Sequence, residues 1–448
     1  MKIVVIGGVA AGMSAASKAR RVNPEADIIV YEQGKDISYG ACGLPYYISG
    51  VTPEIDDLYV RSVEDFKEKG IEVKLLHRVT GIKPDDKCIK VLDRRNDKSF
   101  EDQYDKLIIA TGASPIFPNM PGKDLDNVFK LKTPQDGKKI KEMADDQDIE
   151  SVTIIGGGHI GLELAETFTI KGKQIRIIEG ESHILQSLDK EMAEYVEDYL
   201  DQEGVEIIKG AFVKEILGDE KVTGVATDSN TYSTDAVIVA IGVQPNSKIA
   251  EDAGIELGIK GAIKINEKME TNIADIYAAG DCAVCYHRVL GKDSYLPLGS
   301  TANKQGRTAG ENAAGGNATF AGILGSATAK GLEMTIARTG ISKKEAKENE
   351  IDFESAIITG HDHAGYYPNQ QPIKVQLIFD KDSGQLLGAQ LVGFEAVAKR
   401  TDVFATAIAS GMAVGDIAQL DLTYAPPFSS PYDVINIAAN VANKKVNS

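Results

Sequence analysis

An α/β fold is predicted for this chain by three observations. A strand-like apolar run, Lys2 to Ile6, passes directly into Gly7-Gly8-Val9-Ala10-Ala11-Gly12 and then into an Ala/Ser-rich helical stretch from Met13 to Arg21. The same order recurs at Ser151 to Ile155, Gly156-Gly157-Gly158-His159-Ile160-Gly161 and Leu162 to Ile170. With 448 residues, the chain is also too long for one hydrophobic core and has room for two to four domains.

Each element follows from local chemistry. In the first unit the glycines let the chain turn sharply and bring a helix N-terminus up to a pyrophosphate, while Val9 stands where the strict G-x-G-x-x-G pattern has its second glycine. A second strand, Asp27 to Tyr31, ends in Glu32, 25 positions after Gly7, where an acid binds adenosine ribose hydroxyls. The second unit carries the full pattern in Gly156, Gly158 and Gly161, and its next strand, Gln174 to Ile178, ends in Glu179. Glu179 and Glu181 repel a ribose 2′-phosphate, so NADH is expected, with NADPH as the alternative if Lys171 and Lys173 compensate. Tyr104 to Gly112 and Ala236 to Gly242 are apolar strands closed by small-residue turns, as expected of crossings between domains. Ile276 to Asp281 then resumes the first unit and ends in a carboxylate. The reading is two nested Rossmann-like dinucleotide-binding domains, hence two dinucleotides.

Composition narrows the partners. Sixty-six acidic against 49 basic residues give a net charge of −17, which disfavours nucleic acid and anionic membrane surfaces. Anionic cofactors must then be held locally, by helix N-termini and a few placed cations. No apolar run reaches the length of a membrane span and no leader segment is visible, so a cytoplasmic location is expected. Four cysteines do not make a disulfide framework, and no ligand set at zinc spacing appears, so no metal is expected.

Cys42 is the residue that points to chemistry. It lies in Ser38-Tyr39-Gly40-Ala41-Cys42-Gly43-Leu44-Pro45-Tyr46-Tyr47, after the first unit and with no second cysteine nearby. Gly43 permits close backbone approach and Pro45 suits a helix start, a setting that favours a thiolate. Cys282-Ala283-Val284-Cys285 is read as packing, Cys88 as incidental, and His159 as either a gate over the second glycine loop or a plain loop histidine.

Taken together, these runs resemble the two-dinucleotide flavoprotein disulfide reductases over nearly the whole chain. The resemblance implies FAD in the first unit, NADH (or NADPH) in the second, and a C-terminal α+β dimerisation domain that makes a homodimer. Domain limits are then 1–115 with 245–325 for FAD, 116–244 for NADH and 326–448 for dimerisation. Gly7, Gly8, Gly12 and Glu32 would hold the adenosine diphosphate of FAD, Ala110, Thr111 and Gly112 would pass beside it, and Asp281 would contact the ribityl chain. Gly156, Gly158, Gly161 and Glu179 would hold NADH. The chain lacks the C-x-x-x-x-C pair of the glutathione reductase type and is similar instead to the single-cysteine members: coenzyme A disulfide reductases, NADH oxidases and peroxidases, and persulfide or polysulfide reductases. Cys42 to Tyr47 is most similar to the coenzyme A disulfide reductases and their persulfide-reducing relatives, with Ala41 as a departure from their frequent Asn.

Two further segments, His363 to Pro368 and Tyr424 to Ser430, resemble the same group. They make Tyr366 and Tyr424 the expected proton donors to a leaving thiolate, with Tyr367 as an alternative, acting across the dimer. Ser38, Arg21, Arg61 and Asn303 are the expected substrate contacts, with Lys18 and Arg20 as further phosphate anchors. The implied activity is reduction of coenzyme A disulfide, or a related persulfide or polysulfide, through a coenzyme A mixed disulfide on Cys42. Its rivals are an NADH oxidase or peroxidase in which Cys42 cycles through sulfenic acid, and a flavin-carrying redox sensor without turnover.

Overall fold

The computed structural model describes residues 1–446. By its contacts the chain forms two compact units, one of residues 1–116, 132–138 and 243–323, the other of 117–131, 139–242 and the chain from 324 onward.

The first unit is built on a five-stranded parallel sheet in the order Ile276–Ala278, Lys106–Ile109, Lys2–Ile6, Asp27–Glu32, Ile71–Leu75. Alternate residues of the central strand feed separate cores: Ile3 and Val5 pack with the Ala10–Val22 helix, Val4 and Ile6 with Tyr31, Val79 and Val91 on the other face. That two-sided burial explains why the strand reads as an unbroken apolar run. The two predicted crossings meet as a short antiparallel pair, Ala113–Pro115 with Val243–Pro245. Helix Gly299–Ala313 lies directly on helix Ala10–Val22, and added Cβ atoms at Gly306 and Gly310 would fall 2.2 and 2.1 Å from the carbonyl oxygens of Ala11 and Ala15.

In the second unit a parallel sheet repeats the topology: Glu206–Lys209, Gln174–Glu179, Ser151–Ile155, Ala236–Val239, Val128–Phe129. The same unit contains a five-stranded antiparallel sheet in the order Ala327–Gly331, Met334–Gly340, Leu386–Gly393, Pro372–Asp380, Phe353–His361, covered by helices Val397–Ala409 and Val434–Val446. Polar bonds, those of Asp189 buried, join the two parts. The Asp189 N–H donates to Gln390 Oε1 at 2.8 Å, Gln390 Nε2 donates back to the Asp189 carboxylate at 2.9 Å, and Lys343 pairs with Glu191 at 2.8 Å. None of these pairings is visible in sequence spacing, which is why the sequence divides this stretch in two where contacts do not. Among the described residues, no helix is long and apolar enough to cross a membrane.

Candidate active site

Two glycine loops form near-identical cradles. Gly7 has φ +107° and Gly156 φ +106°, values that exclude a side chain at either position. A Cβ at Gly12 would meet the Gly7 oxygen at 1.9 Å, and one at Gly161 the Gly156 oxygen at 2.1 Å, so each third glycine lets its helix lie against its own loop. Val9 and Gly158 occupy the same place as helix N-caps, both at negative φ, so neither position calls for the left-handed backbone that favours glycine. A Cβ on Gly158 would meet nothing within 4 Å.

The expected acids close both loops. Glu32 accepts from Gly8 N–H at 2.7 Å and Gly34 N–H at 2.6 Å; Glu179 accepts from Gly157 N–H at 2.8 Å and Glu181 N–H at 3.0 Å. A carboxylate oxygen retains a second lone pair after one such bond, so each acid keeps acceptor capacity for ribose hydroxyls. Burial pushes the Glu32 carboxyl above its ordinary value, an effect its backbone hydrogen bonds only partly offset. Neither Val9 nor Gly158 caps its helix with a side chain, and neither helix has an acid in its first turn. Those first-turn N–H groups, at the positive ends of helices of 13 and 12 residues, suit a pyrophosphate in each cradle.

The Cys42 segment is fixed to the first cradle through its backbone. Ser38, at φ +51°, donates its N–H to the Gly8 carbonyl at 2.9 Å and its carbonyl receives the N–H of Val60 at 2.8 Å. Gly40 N–H bonds to the Leu58 carbonyl, and Gly43 sits so tightly on Leu58 that a Cβ would lie 2.4 Å from that side chain. Cys42 occupies the 3-10 turn Ala41–Gly43 that leads into helix Leu44–Ser49, with Pro45 in its first turn, as expected. Its side chain is exposed, whereas Cys88, Cys282 and Cys285 are buried. Burial raises the thiols of all three, Cys285 to about 11, and Cys282 and Cys285 are not joined by a disulfide.

Elsewhere in that unit, Thr111 is tied to Asn246 from both sides: its hydroxyl donates to the Asn246 carbonyl at 2.6 Å and Asn246 Nδ2 donates to the Thr111 carbonyl at 2.9 Å. Asn246 gave no sequence signal because its partner lies 135 positions away. Asp281 is half-buried after strand Ile276–Ala278, with Lys132 Nζ 3.7 Å from its carboxylate. Asn303 accepts from Ser14 Oγ at 2.6 Å, and Lys18, Lys304, Arg307, Thr308 and Glu311 of the same pair of helices, with Phe320 beyond them, line a cavity of about 290 Å³ in which Lys18 pairs with Glu311 at 2.8 Å. Sequence reading missed Lys304 and Arg307, although both lie on one face with Thr308 and Glu311. Arg21 and Arg61 are exposed, Arg21 Nε donating to the Ser17 carbonyl at 3.2 Å and Arg61 lying 6.0 Å from the Phe66 ring centroid. Arg20 is committed to the carbonyls of Pro24 and Gly70, which makes it a structural residue rather than an anchor.

In the second unit, Lys171 pairs with Asp145 at 2.6 Å and Lys173 donates to the carbonyls of Asp146 and Ile149 at 2.7 Å. Both stand beyond the far end of helix His159–Ile170, roughly 18 Å of helix from the glycine loop. They do not offset Glu179. His159 opens that helix, half-buried, and burial followed by the Arg338 charge lowers its pKa. The two predicted tyrosines come together: Tyr366 Oη and Tyr424 Oη are 2.8 Å apart, both rings exposed, and the bond from Tyr366 raises the Tyr424 pKa. Tyr367 instead stacks edge-on against His363, with ring centroids 5.5 Å apart. Among the described residues, no group of three or more His, Cys, Asp or Glu is placed to hold a metal.

Two dinucleotide cradles, one of them bonded to the segment of an exposed thiol, define a class, a flavin- and nicotinamide-linked oxidoreductase acting on sulfur. The chain belongs to the pyridine nucleotide-disulphide oxidoreductase family: the family model matches residues 1–306 and the family's dimerisation domain matches 327–433. It is 37% identical to an NAD(P)H sulfur oxidoreductase (CoA-dependent) of Pyrococcus abyssi, over 98% of this chain and 97% of the relative. Identity is 36% to an NADH oxidase of Methanocaldococcus jannaschii over 100% of both chains, and 33% to a coenzyme A disulfide reductase of Staphylococcus aureus over 97% and 98%. Among solved structures, an NAD-dependent persulfide reductase from A. fulgidus matches with a TM-score of 0.96 at 40% identity, over 100% of this chain and 84% of that one. A water-forming NADH oxidase from Lactobacillus brevis, bound to NADH, matches with a TM-score of 0.95 at 29% identity, over 100% and 99%. FAD and NAD(P)H are accordingly the two cofactors, and the cradles above fit them.

Proposed function

We propose that the protein spends NAD(P)H to reduce coenzyme A disulfide, or a related persulfide or polysulfide, through the single thiol of Cys42. Bound FAD supplies a two-electron path from nicotinamide to sulfur. Every other step belongs to the chain. The Cys42 thiolate attacks one substrate sulfur; the Cys42–S–S bond forms as the substrate S–S bond breaks, and the other half departs as a thiolate. The Tyr366–Tyr424 pair of a second copy in a homodimer protonates that leaving sulfur. Two electrons then cleave the mixed disulfide, returning Cys42 as thiolate and releasing the second thiol after it takes up a proton.

The observation that carries this reading is the contrast among the four thiols: three are buried and raised, and the exposed one is tied to the cofactor loop. Further support comes from the relatives named for coenzyme A and persulfides. In this reading the functional domains are 1–115 with 245–325 for FAD, 116–244 for the nicotinamide coenzyme and 326–448 for dimerisation. NADH is preferred, because Glu179 faces the ribose without a compensating lysine. Lys304 and Arg307, beside Asn303, suit the phosphates of coenzyme A, whereas Lys18 is held by Glu311, with Ser38, Arg21 and Arg61 as the other substrate contacts.

A second reading rests on the oxidase relatives: Cys42 passes through sulfenic acid and reduces an oxygen species. Anaerobic NADH consumption, with coenzyme A disulfide, polysulfide or peroxide supplied separately, decides between them. The proposal expects turnover with a sulfur acceptor that Cys42→Ser abolishes; turnover with peroxide alone, or only once dioxygen is admitted, selects the oxidase reading.

A further inference from the structure

The loops that carry Tyr366 and Tyr424 are held by a group the sequence gives no reason to notice. Residues 362–371 form a self-bonded loop: Asp362 and Gln371 exchange bonds at 2.9 and 3.0 Å, and Gln370 Nε2 donates to the His363 carbonyl at 2.6 Å. Residues 424–433 form another, in which Ser429 Oγ donates to the Asp433 carboxylate at 2.8 Å and the N–H of Ile435, in the first turn of the following helix, donates to it at 2.9 Å. Direct bonds between the loops, apart from the tyrosine pair, are long: Ala364 N–H to the Pro426 carbonyl at 3.3 Å and Ser430 Oγ to the His363 carbonyl at 3.4 Å. Arg400, from helix Val397–Ala409 beneath them, spans both. Its Nη2 donates to the Asp362 carbonyl at 2.7 Å and the Phe428 carbonyl at 3.2 Å, and Nη2 and Nε grip Asp433 at 2.8 and 3.0 Å.

We propose that Arg400 is a positioning residue that, paired with Asp433, locks the two loops in the register at which the Tyr366 and Tyr424 hydroxyls meet. The proposal rests on the reading above that this tyrosine pair serves the reaction. Arg400 and Asp433 are 6% and 8% exposed, too buried to touch substrate, and the rigid guanidinium holds the Asp433 carboxylate with two nitrogens while Nη2 also reaches both carbonyls, a fixed fork that a lysine ammonium cannot reproduce. The pair therefore acts through the tyrosines and not beside them.

Two variants of the full-length FAD-loaded protein test this. Arg400→Lys keeps the charge against Asp433 but removes the fork; Arg400→Met with Asp433→Asn removes both charges together and avoids stranding one, so either can fold without the other. The first readout is independent of turnover: the ultraviolet tyrosinate titration of each variant, minus the same variant carrying Tyr424→Phe. The intact pair holds Tyr424 above the ordinary phenol value, and this elevation is expected to vanish in either variant. The second readout is a double-mutant cycle. Arg400→Lys alone is expected to lower kcat with disulfide by at least about tenfold, KM for NADH unchanged, since small misplacements of a reacting group carry such costs. In the Tyr424→Phe background it is expected to cost nothing more. An unchanged Tyr424 titration, or a loss that simply multiplies that of Tyr424→Phe, overturns the proposal. If Tyr424→Phe itself turns over normally, the tyrosine reading fails, and the titration still reports whether Arg400 holds the pair.

Discussion

The two glycine cradles share a strand order, a left-handed first glycine and a carboxylate that closes the loop, yet they differ at three corresponding places. Val9 narrows the first cradle where Gly158 leaves the second open. Glu32 is buried and Glu179 only half so. Where the first helix carries Ser14 and Ser17, the second carries Glu163 and Glu166. The shared features are those that backbone geometry requires, whereas the differing ones are side chains. A buried acid and a snug loop suit a resident cofactor; an open loop and a half-exposed acid suit one that exchanges each turnover.

The comparison breaks most visibly at the third glycine. Gly12→Val and Gly161→Val both drive a side chain into a loop carbonyl, but with different consequences. The first is expected to yield protein without flavin colour; the second is expected to stay yellow while NADH no longer bleaches it. Loss of flavin from Gly161→Val would contradict the assignment of cofactors to cradles.

A gentler exchange sharpens the same point. Gly158→Val adds a side chain into open space, so melting is expected to hold while KM for NADH rises by about a hundredfold, the equivalent of roughly 2.7 kcal/mol. Val9→Gly, the reverse change in the first cradle, is expected to keep FAD and lose only about 0.5–1 kcal/mol of stability.

The acidic face of the second helix predicts a pH dependence. Burial, reinforced by Glu166, raises Glu163 from 4.5 to about 7, so the folded chain holds a proton that the unfolded chain has released. That stabilisation is full below about pH 4.5 and is lost as pH rises through about 7. Glu163→Gln is therefore expected to raise stability at pH 8 by on the order of 2 kcal/mol and to change little at pH 5. Denaturant titrations at the two pH values check the sign. A smaller effect concerns coenzyme choice: Glu179→Gln removes the charge facing a 2′-phosphate and is expected to raise NADPH efficiency relative to NADH by about tenfold, or 1.4 kcal/mol. An unchanged ratio would mean that specificity lies elsewhere in the loop.

Much of this was legible in the sequence because it is local. Lys2–Ile6 and Ser151–Ile155 fall at the predicted residues, and both helices begin three residues earlier than their apolar patterns suggest, since Ala10 to Gly12 and His159 to Gly161 of the loops are already helical. Cys42 stood out through its neighbours, and Tyr366 and Tyr424 through segments that resemble a family, not through any periodicity. What stayed hidden depends on partners far apart in the chain. Asn246 meets Thr111, Gln390 meets Asp189, and Arg400 meets both tyrosine loops only after folding. The lysines at 171 and 173 were misjudged for the same reason: proximity in sequence to the loop hid a helix length between them.

The central claim is that one exposed sulfur exchanges disulfides with the substrate, and intact mass tests it most directly. Anaerobic incubation of the FAD-loaded protein with coenzyme A disulfide is expected to add one coenzyme A per chain, mapped to Cys42, removed by NADH and absent from Cys42→Ser. NADH-driven reduction of the disulfide with no adduct on Cys42, or with the adduct on Cys88, Cys282 or Cys285, would contradict it.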